Sequence, residues 1–283
     1  MKSQPTQRIQ KLLANAGHGS RRKIEALIRE GRITVDGKPA LIGQPVTGAE
    51  KIRIDKKPIK PISLSESEAQ HHYLIYHKPV DEICTRNDPE GRPSVYKRLP
   101  PVADRRWISV GRLDINSSGL MLFTTDGALA NKLMHPSSAI DREYAVRVLG
   151  DVGGDIIERL QEGVMLEDGI ARFTDIQKGS GQGANQWYYV VIQEGRNREV
   201  RRLWQSQDIT VSRLMRVRYG PVILQKSLRP GRWKYLELSD IDLLYQAAEL
   251  PFKPSMVNEH ARKRANEKPG SHTRTVYRKK KHQ

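Results

Sequence analysis

Cysteine is almost absent. Cys84 stands alone in 283 residues, so no internal disulfide can form, and nothing near it resembles a zinc ligand set. It reads as a packing residue. Long apolar runs are also missing: none approaches the roughly 18 to 20 residues of a membrane span, and Met1 to Gln10 lacks the apolar segment of a secretory signal. A cytoplasmic chain is expected, with no membrane partner. Acidic residues are scarce at the two ends. Residues 1–60 carry 14 Lys and Arg against 5 Asp and Glu, residues 252–283 carry 10 against 2, and residues 61–251 carry 25 against 25. The net charge of +17 therefore lies entirely in the ends, a distribution suited to capturing a polyanion. A membrane-surface helix would need large apolar residues opposite its cations, and the tail has almost none.

Within the neutral body, Gly111 to Gly127 joins an isolated carboxylate, Asp114, to a well-specified scaffold. Leu120 to Phe123 is a short apolar run bounded by Gly119 and Asp126-Gly127, as expected of a strand buried on both faces. Asp126 can cap a helix carrying Leu129, Ala130, Leu133 and Met134, which must stop before Pro136. Three readings of Asp114 compete. Asp114, Asn116, Ser117, Ser118 and Gly119 are ordinary turn formers. A calcium loop fits positions one, three, five and six but fails at position twelve, where Thr125 replaces the required Glu. Catalysis is the third, and it needs partners elsewhere in the chain.

Residues 7–16 place Ile9, Leu12, Leu13 and Ala16 on one helical face behind Thr6, with Gly17 as the stop. Ser20 caps a second helix whose stripe is Ile24, Leu27 and Ile28, ended by Gly31 and followed by an Asp36-Gly37 hairpin signal. Arg21, Arg22 and Lys23 fall in the first turn of that helix, where the macrodipole disfavours cations by about 0.3 to 1 kcal/mol each. A bound phosphate would reverse the sign, whereas without one they are a solvated basic turn. Arg8 to Asp55, with Gly17-His18-Gly19-Ser20-Arg21-Arg22 and Val35-Asp36-Gly37, resembles the small RNA-binding domain named after a small-subunit ribosomal protein. That resemblance implies RNA contact and no particular reaction.

Downstream, residues 60–71 lack periodicity and read as a linker, Tyr73 to Tyr76 as a strand ending at Lys78-Pro79, and Cys84-Thr85 as the start of another. Asn87 to Pro93 is a polar surface loop, and Tyr144 to Val148 alternates as a half-buried strand does. Tyr144 is a core aromatic or a platform for an unpaired base, the latter worth about 1 to 3 kcal/mol. Gly179 to Gly183 reads as a flexible loop and Trp187 to Ile192 as a strand. Glu194 to Trp204 concentrates Arg196, Arg198, Arg201 and Arg202 around a helical face of Val200, Leu203 and Trp204. Arg213, Arg216 and Arg218 follow on a strand, and the exclusive use of Arg suits planar carboxylate and phosphate contacts. Residues 252–283 read as a disordered basic tail with nonspecific RNA affinity.

Gly111-Arg112-Leu113-Asp114, Gly119-Leu120, Thr125-Asp126-Gly127, Leu133-Met134-His135-Pro136, Arg142-Glu143-Tyr144 and Glu194 to Leu203 together resemble the pseudouridine synthases of the ribosomal small-subunit synthase A type. The match covers residues 6 to about 245. Cys84 to Pro93 and Ala184 to Tyr188 look most like the branch that acts on large-subunit rRNA. The resemblance implies 23S rRNA, free or in an assembling subunit, as partner, and a target uridine of the 2605 type in the usual RNA numbering. It implies that Asp114 adds to the uridine or its ribose so that the base detaches from N1 and rejoins through C5. Carboxylates are ordinarily ionised near pH 7, so such a group needs orientation more than an activating base. By the same resemblance Arg201 pairs with Asp114, Tyr144 stacks under the flipped uracil and Arg112 enters the space the base leaves. Arg21, Arg22, Lys23, Arg196, Arg198 and Arg202 are expected to contact RNA. No metal or cofactor is implied, and a monomer is expected. Two positions depart from the family pattern. Asp81 stands where a Gly is usual and a positive φ is expected, and Ser117 stands where Thr is common.

The expected fold is α+β: an RNA-binding module at 1–60, a linker at 61–71, a catalytic domain at 72–251 with a mixed, mainly antiparallel sheet flanked by helices, and the tail at 252–283. The rival functions are the same reaction at another rRNA uridine and a non-catalytic rRNA-binding assembly factor.

Overall fold

Ser20, Gly31 and Asp36-Gly37 punctuate the first sixty residues, and in the computed structural model they do so at the ends of the elements they were expected to bound. The structure describes residues 6–60, 70–102, 105–182 and 185–258. Helix α1 spans Ile9–Asn15 and α2 spans Arg21–Arg29, with the Ser20 hydroxyl accepting from the Lys23 amide at 3.1 Å. Asp36 and Gly37 both take positive φ, 49° and 83°, as the tight hairpin between Ile33–Val35 and Lys38–Pro39 requires. The first helix starts later than the periodicity suggests. Gln7–Arg8 is drawn into pairing with Pro45–Val46, so Arg8, not Thr6, occupies the cap. Ile9, Leu13, Ile24, Ile33, Val46 and Ile52 give this module a core of its own.

The larger domain is built on a nine-stranded sheet. Its main path runs Asp175–Gln182, Asn185–Ile192, Arg142–Leu149, Thr210–Tyr219, Ser118–Thr124, Tyr73–Lys78 and Trp233–Tyr235; Ile108–Val110 and Val222–Ile223 pair alongside. Every pairing is antiparallel except that between Thr210–Tyr219 and Ser118–Thr124. The sheet is mixed and mainly antiparallel, as expected. Side-chain alternation sends Leu74, Tyr76, Met121 and Phe123 to one face and Tyr73, Ile75, Leu120 and Leu122 to the other. The first face packs on Leu160 of α4 (Gly154–Glu162) and Leu203 and Trp204 of α5 (Glu199–Gln205). The second packs on Leu129 and Leu133 of α3 (Gly127–Met134) and Ile241 and Leu244 of α6 (Leu238–Ala247). Asp126 caps α3 through Ala128 and Leu129, and its other oxygen accepts from the Tyr245 hydroxyl.

Four expectations change. The Tyr144 strand is central between two others and mostly buried, because both sheet faces are covered. Gly179 and Gly181 lie within a strand, not a loop, at an irregularity in its register; a Cβ at Gly179 would sit 3.1 Å from the Trp187 carbonyl oxygen. Cys84 opens no strand: beside it, Ile83 makes a single bridge to Ser94. The packed chain also continues past residue 251. Phe252 packs against Tyr245 at 5.3 Å, and fully buried Val257 pairs with His71, so the last residue of the expected linker fastens to the start of the expected tail. Residues 61–69 and 259–283, which hold most of those two segments, lie outside the described residues.

The parallel joint is only two residues long, Met215 opposite Ser118 and Arg216 opposite Gly119. Gly119 has φ +108°, and a Cβ there would lie 2.3 Å from the Arg216 carbonyl oxygen and 2.6 Å from its nitrogen. Backbone would have to part from backbone. Gly119→Ala is therefore expected to cost near the upper end of the about 1 to 3 kcal/mol typical of overpacking, lowering the melting midpoint by roughly 6 to 12 °C in calorimetry. An unchanged midpoint would mean that the two strands are less tightly joined than described.

Candidate active site

Asp114 sits in the loop between Val110 and Ser118, which enters the sheet at its parallel joint. Gly111 opens the loop with φ +79°, and the Ser117 amide donates to the Asp114 carbonyl at 3.1 Å, closing a turn. The turn chemistry of the sequence is therefore real. It does not exhaust the residue. Beneath the loop lies Lys78, fully buried at the end of the Tyr73–Lys78 strand. Its ammonium donates to the carbonyls of Ser117 at 2.7 Å, Pro79 at 2.9 Å, Asp114 at 3.0 Å and Ile115 at 3.4 Å. Burial holds its pKa below the ordinary lysine value, and the surrounding negative groups oppose that shift. Asp81, at φ +67°, donates its amide to the Ile115 carbonyl at 2.8 Å, so the expected left-handed position serves to meet the same loop. Ser117 is buried, and its hydroxyl has no hydrogen-bond partner.

With its backbone held from below, the loop turns the Asp114 carboxylate to a cavity of about 880 Å³, where its side chain keeps 36% exposure. Tyr144, Arg112, Arg198, Arg216 and Cys84 line the same cavity. Tyr144 is buried by its strand neighbours but reaches the wall, whereas Arg112 and Arg198 are exposed at the rim. The Cys84 thiol donates to the Leu113 carbonyl, and burial pushes its pKa up, as befits a packing cysteine.

The expected ion pair changes partner. Arg201 does not reach the carboxylate; it donates to the carbonyls of Val211 and Asn116, each at 3.0 Å, while Arg198 Nη1 approaches Asp114 Oδ2 at 3.9 Å. The reason is position on α5. Arg198 caps that helix in a left-handed conformation, φ +49°, and projects over the rim, whereas Arg201 lies one turn in, against the Asp114 loop and the Thr210–Tyr219 strand. Burial and the Arg198 charge lower the Arg201 pKa, opposed by Asp114, so the carboxylate still acts on it through space.

The remaining arginines divide by their partners. Arg196 donates to the Glu194 carboxylate and to the carbonyls of Asp168, Gly169 and Ile170, and Arg202 makes a bidentate pair with Asp168 at 2.9 Å. Arg202 fastens the Val164–Ala171 hairpin to α5 and Arg196 fastens it to the segment before that helix, leaving Arg112 and Arg198 as the exposed guanidiniums among those that line the cavity. Arg21, Arg22 and Lys23 are exposed at the start of α2, and the Arg21 charge adds to burial and to Arg86 in lowering the pKa of Arg106 in the larger domain. Sequence reasoning missed Lys78 and Arg216 as site residues. A lysine just beyond the apolar run Tyr73 to Tyr76 was the available signal for the first; no pattern marks the second among so many arginines.

A family model described as RNA pseudouridylate synthase matches residues 72–206, and one described as S4 domain matches residues 7–52. Among the curated relatives, a ribosomal large subunit pseudouridine synthase B of Vibrio cholerae serotype O1 is 52% identical over 255 residues, spanning 89% of this chain and 79% of that protein. The protein of the same name from Escherichia coli strain K12 is 52% identical over 269 residues, spanning 93% of this chain and 91% of its own length. A crystal structure of a pseudouridylate synthase shares the fold, with a TM-score of 0.59 at 23% identity over 84% of this chain and 99% of that one.

Proposed function

This chain belongs to the RNA pseudouridylate synthase family, and from that premise we propose that it isomerises one uridine of large-subunit ribosomal RNA to pseudouridine, with Asp114 as the catalytic carboxylate. The observation that carries the reading is the Asp114 loop, fastened from below by Lys78 and opening on a cavity walled by Tyr144. Such a site can accept a nucleoside turned out of its stack, at a cost of a few kcal/mol that aromatic stacking and phosphate contacts offset. The N1–C1′ bond breaks, the freed ring turns, and C5 bonds to C1′ while C5 loses a proton and N1 gains one. Composition is unchanged, so no co-reactant is needed.

In this reading Tyr144 supports the uracil face, Arg112 fills the space the base leaves, and Arg198 steers phosphate while balancing the Asp114 charge. Arg201 is a positioning residue, holding the Asn116 carbonyl from outside as Lys78 holds its neighbours from beneath. The relatives' shared name supports large-subunit rRNA as substrate, free or assembling, and with it a cytoplasmic site of action; the sequence resemblance supports uridine 2605. Carbodiimide primer extension on 23S transcripts after incubation with the full chain tests this. A new stop at that uridine is expected, a stop elsewhere would move the target to another uridine, and binding without any stop would leave a non-catalytic assembly factor.

The module's contribution is measurable separately. Replacing Arg21, Arg22 and Lys23 with Ala should weaken RNA binding regardless of sequence, reducing the slope of log affinity against log salt by about 2 if each cation neutralises one phosphate, at roughly 0.7 per contact for single strands. An unchanged slope in titrations from 50 to about 200 mM salt would return these residues to a merely solvated turn.

A further inference from the structure

Arg216 is only 2% exposed, yet among the described residues it has no carboxylate within ion-pair distance. Its Nε donates to the Leu120 carbonyl at 2.8 Å, and its guanidinium lies 5.2 Å from the Tyr219 ring centroid. One terminal nitrogen, Nη2, is buried without any hydrogen-bond partner. A guanidinium in that state is costly, because burial removes water from a charge that nothing nearby neutralises. Arg142, which shares the Tyr219 ring, shows the contrast: its nitrogens are used on the Gln193 and Glu194 carbonyls and the Tyr219 hydroxyl.

Position suggests what Arg216 is kept for. It lines the cavity of Asp114, stands in register opposite Tyr144 on the neighbouring strand, and faces Gly111, where a Cβ would come 3.9 Å from Nη1. The close backbone contact with Gly119 fixes its main chain at the parallel joint. A rigidly placed donor beside an aromatic platform meets the edge of whatever ring lies on that platform.

Resting on the function proposed above, we infer that Arg216 donates a hydrogen bond to a ring carbonyl oxygen, O2 or O4, of the extruded uracil. When the N1–C1′ bond breaks, its electron pair enters the ring and is shared with those oxygens, and the charge-assisted bond strengthens. The charge leaves the ring again as C5 bonds to C1′, C5 releases its proton and N1 is protonated. Arg216 thereby favours uracil over cytosine at O4, or either pyrimidine in its anionic form at O2, and holds the ring while it turns.

Sulfur is the test, since a thiocarbonyl accepts hydrogen bonds more weakly. Single-turnover rates would be compared on 23S fragments whose mapped target is uridine, 2-thiouridine or 4-thiouridine, using the full chain and its Arg216→Met and Arg216→Lys variants, with melting and RNA binding as controls. Wild type should lose about tenfold on one thio substrate. Arg216→Met should lose about a hundredfold on uridine and no longer distinguish that thio substrate from it. If Arg216→Met does not fold, the same penalty should shrink in Arg216→Lys. The inference is overturned if wild type shows no thio penalty, if the penalty survives in the folded variants, or if Arg216→Met turns over at the wild-type rate. A wild type that binds but never modifies uridine would instead remove the function on which it rests.

Discussion

Asp114→Asn is expected to form no detectable pseudouridine, a loss of at least about a thousandfold or roughly 4 kcal/mol of barrier stabilisation, while binding 23S transcripts at least as tightly as wild type. Asparagine keeps the shape of the side chain and removes the negative oxygen that can bond to carbon. The fold should not respond, because Lys78 and Ser117 hold the main chain of residue 114 and not its side chain. Binding should hold or improve because a half-exposed carboxylate on the path of a polyanion is repulsive, and Arg198 at 3.9 Å would be released to meet phosphate. Primer extension after carbodiimide treatment reads the product, and filter binding at fixed salt reads the affinity. Product at the wild-type level would remove Asp114 from the chemistry; lost binding would mean that its carboxylate organises the RNA site.

Those outcomes separate an enzyme from an RNA-holding relative, a distinction the sequence could frame but not make. What the chain announces in its residues is local. The Asp36-Gly37 turn, the Ser20 and Asp126 caps and the doubly buried run at Leu120 to Phe123 each depend on neighbours within a few positions, and each forms as read. What it conceals depends on distant partners. The Tyr144 strand alternates as a half-buried one would and so hides that it is central, since its burial is set by the strands at 185–192 and 210–219. Glycines 179 and 181 look like a loop because what draws them into a strand, the Trp187 main chain against Gly179 and the pairing of Gly181 with Gln186, lies on the neighbouring strand. The choice between Arg198 and Arg201 as the neighbour of Asp114 turns on where α5 begins, a boundary of one or two residues that periodicity does not resolve. The family resemblance points to residues that line one cavity, and the side-chain geometry gives the arginines among them partners that the resemblance does not imply.

Lys78 carries the clearest consequence of that geometry. Lys78→Met should reduce turnover by about a hundredfold or more with RNA affinity little changed, while the melting midpoint falls by only a few degrees. Two terms set the stability. Three carbonyls within 3.0 Å would lose their donor, at about 1 to 3 kcal/mol for a buried group left unpaired, but the cost of holding a desolvated ammonium disappears as well. They oppose each other, so the net loss is smaller than the number of broken bonds suggests. Activity has no such compensation. The ammonium is the point on which the carbonyls of 114, 115 and 117 converge, and without it the loop has no reason to present its carboxylate at one angle to the cavity. Misplacement by about 1 Å is enough for a hundredfold loss in a reaction that depends on near-attack geometry. Lys78→Arg should not rescue, because a planar fork cannot direct its donors into a pocket shaped around a compact ammonium. Single-turnover rates measured beside calorimetry decide it: full turnover in Lys78→Met would mean that the loop holds its shape without the lysine, and a midpoint collapse equal to the activity loss would make Lys78 a residue of the core and not of the site.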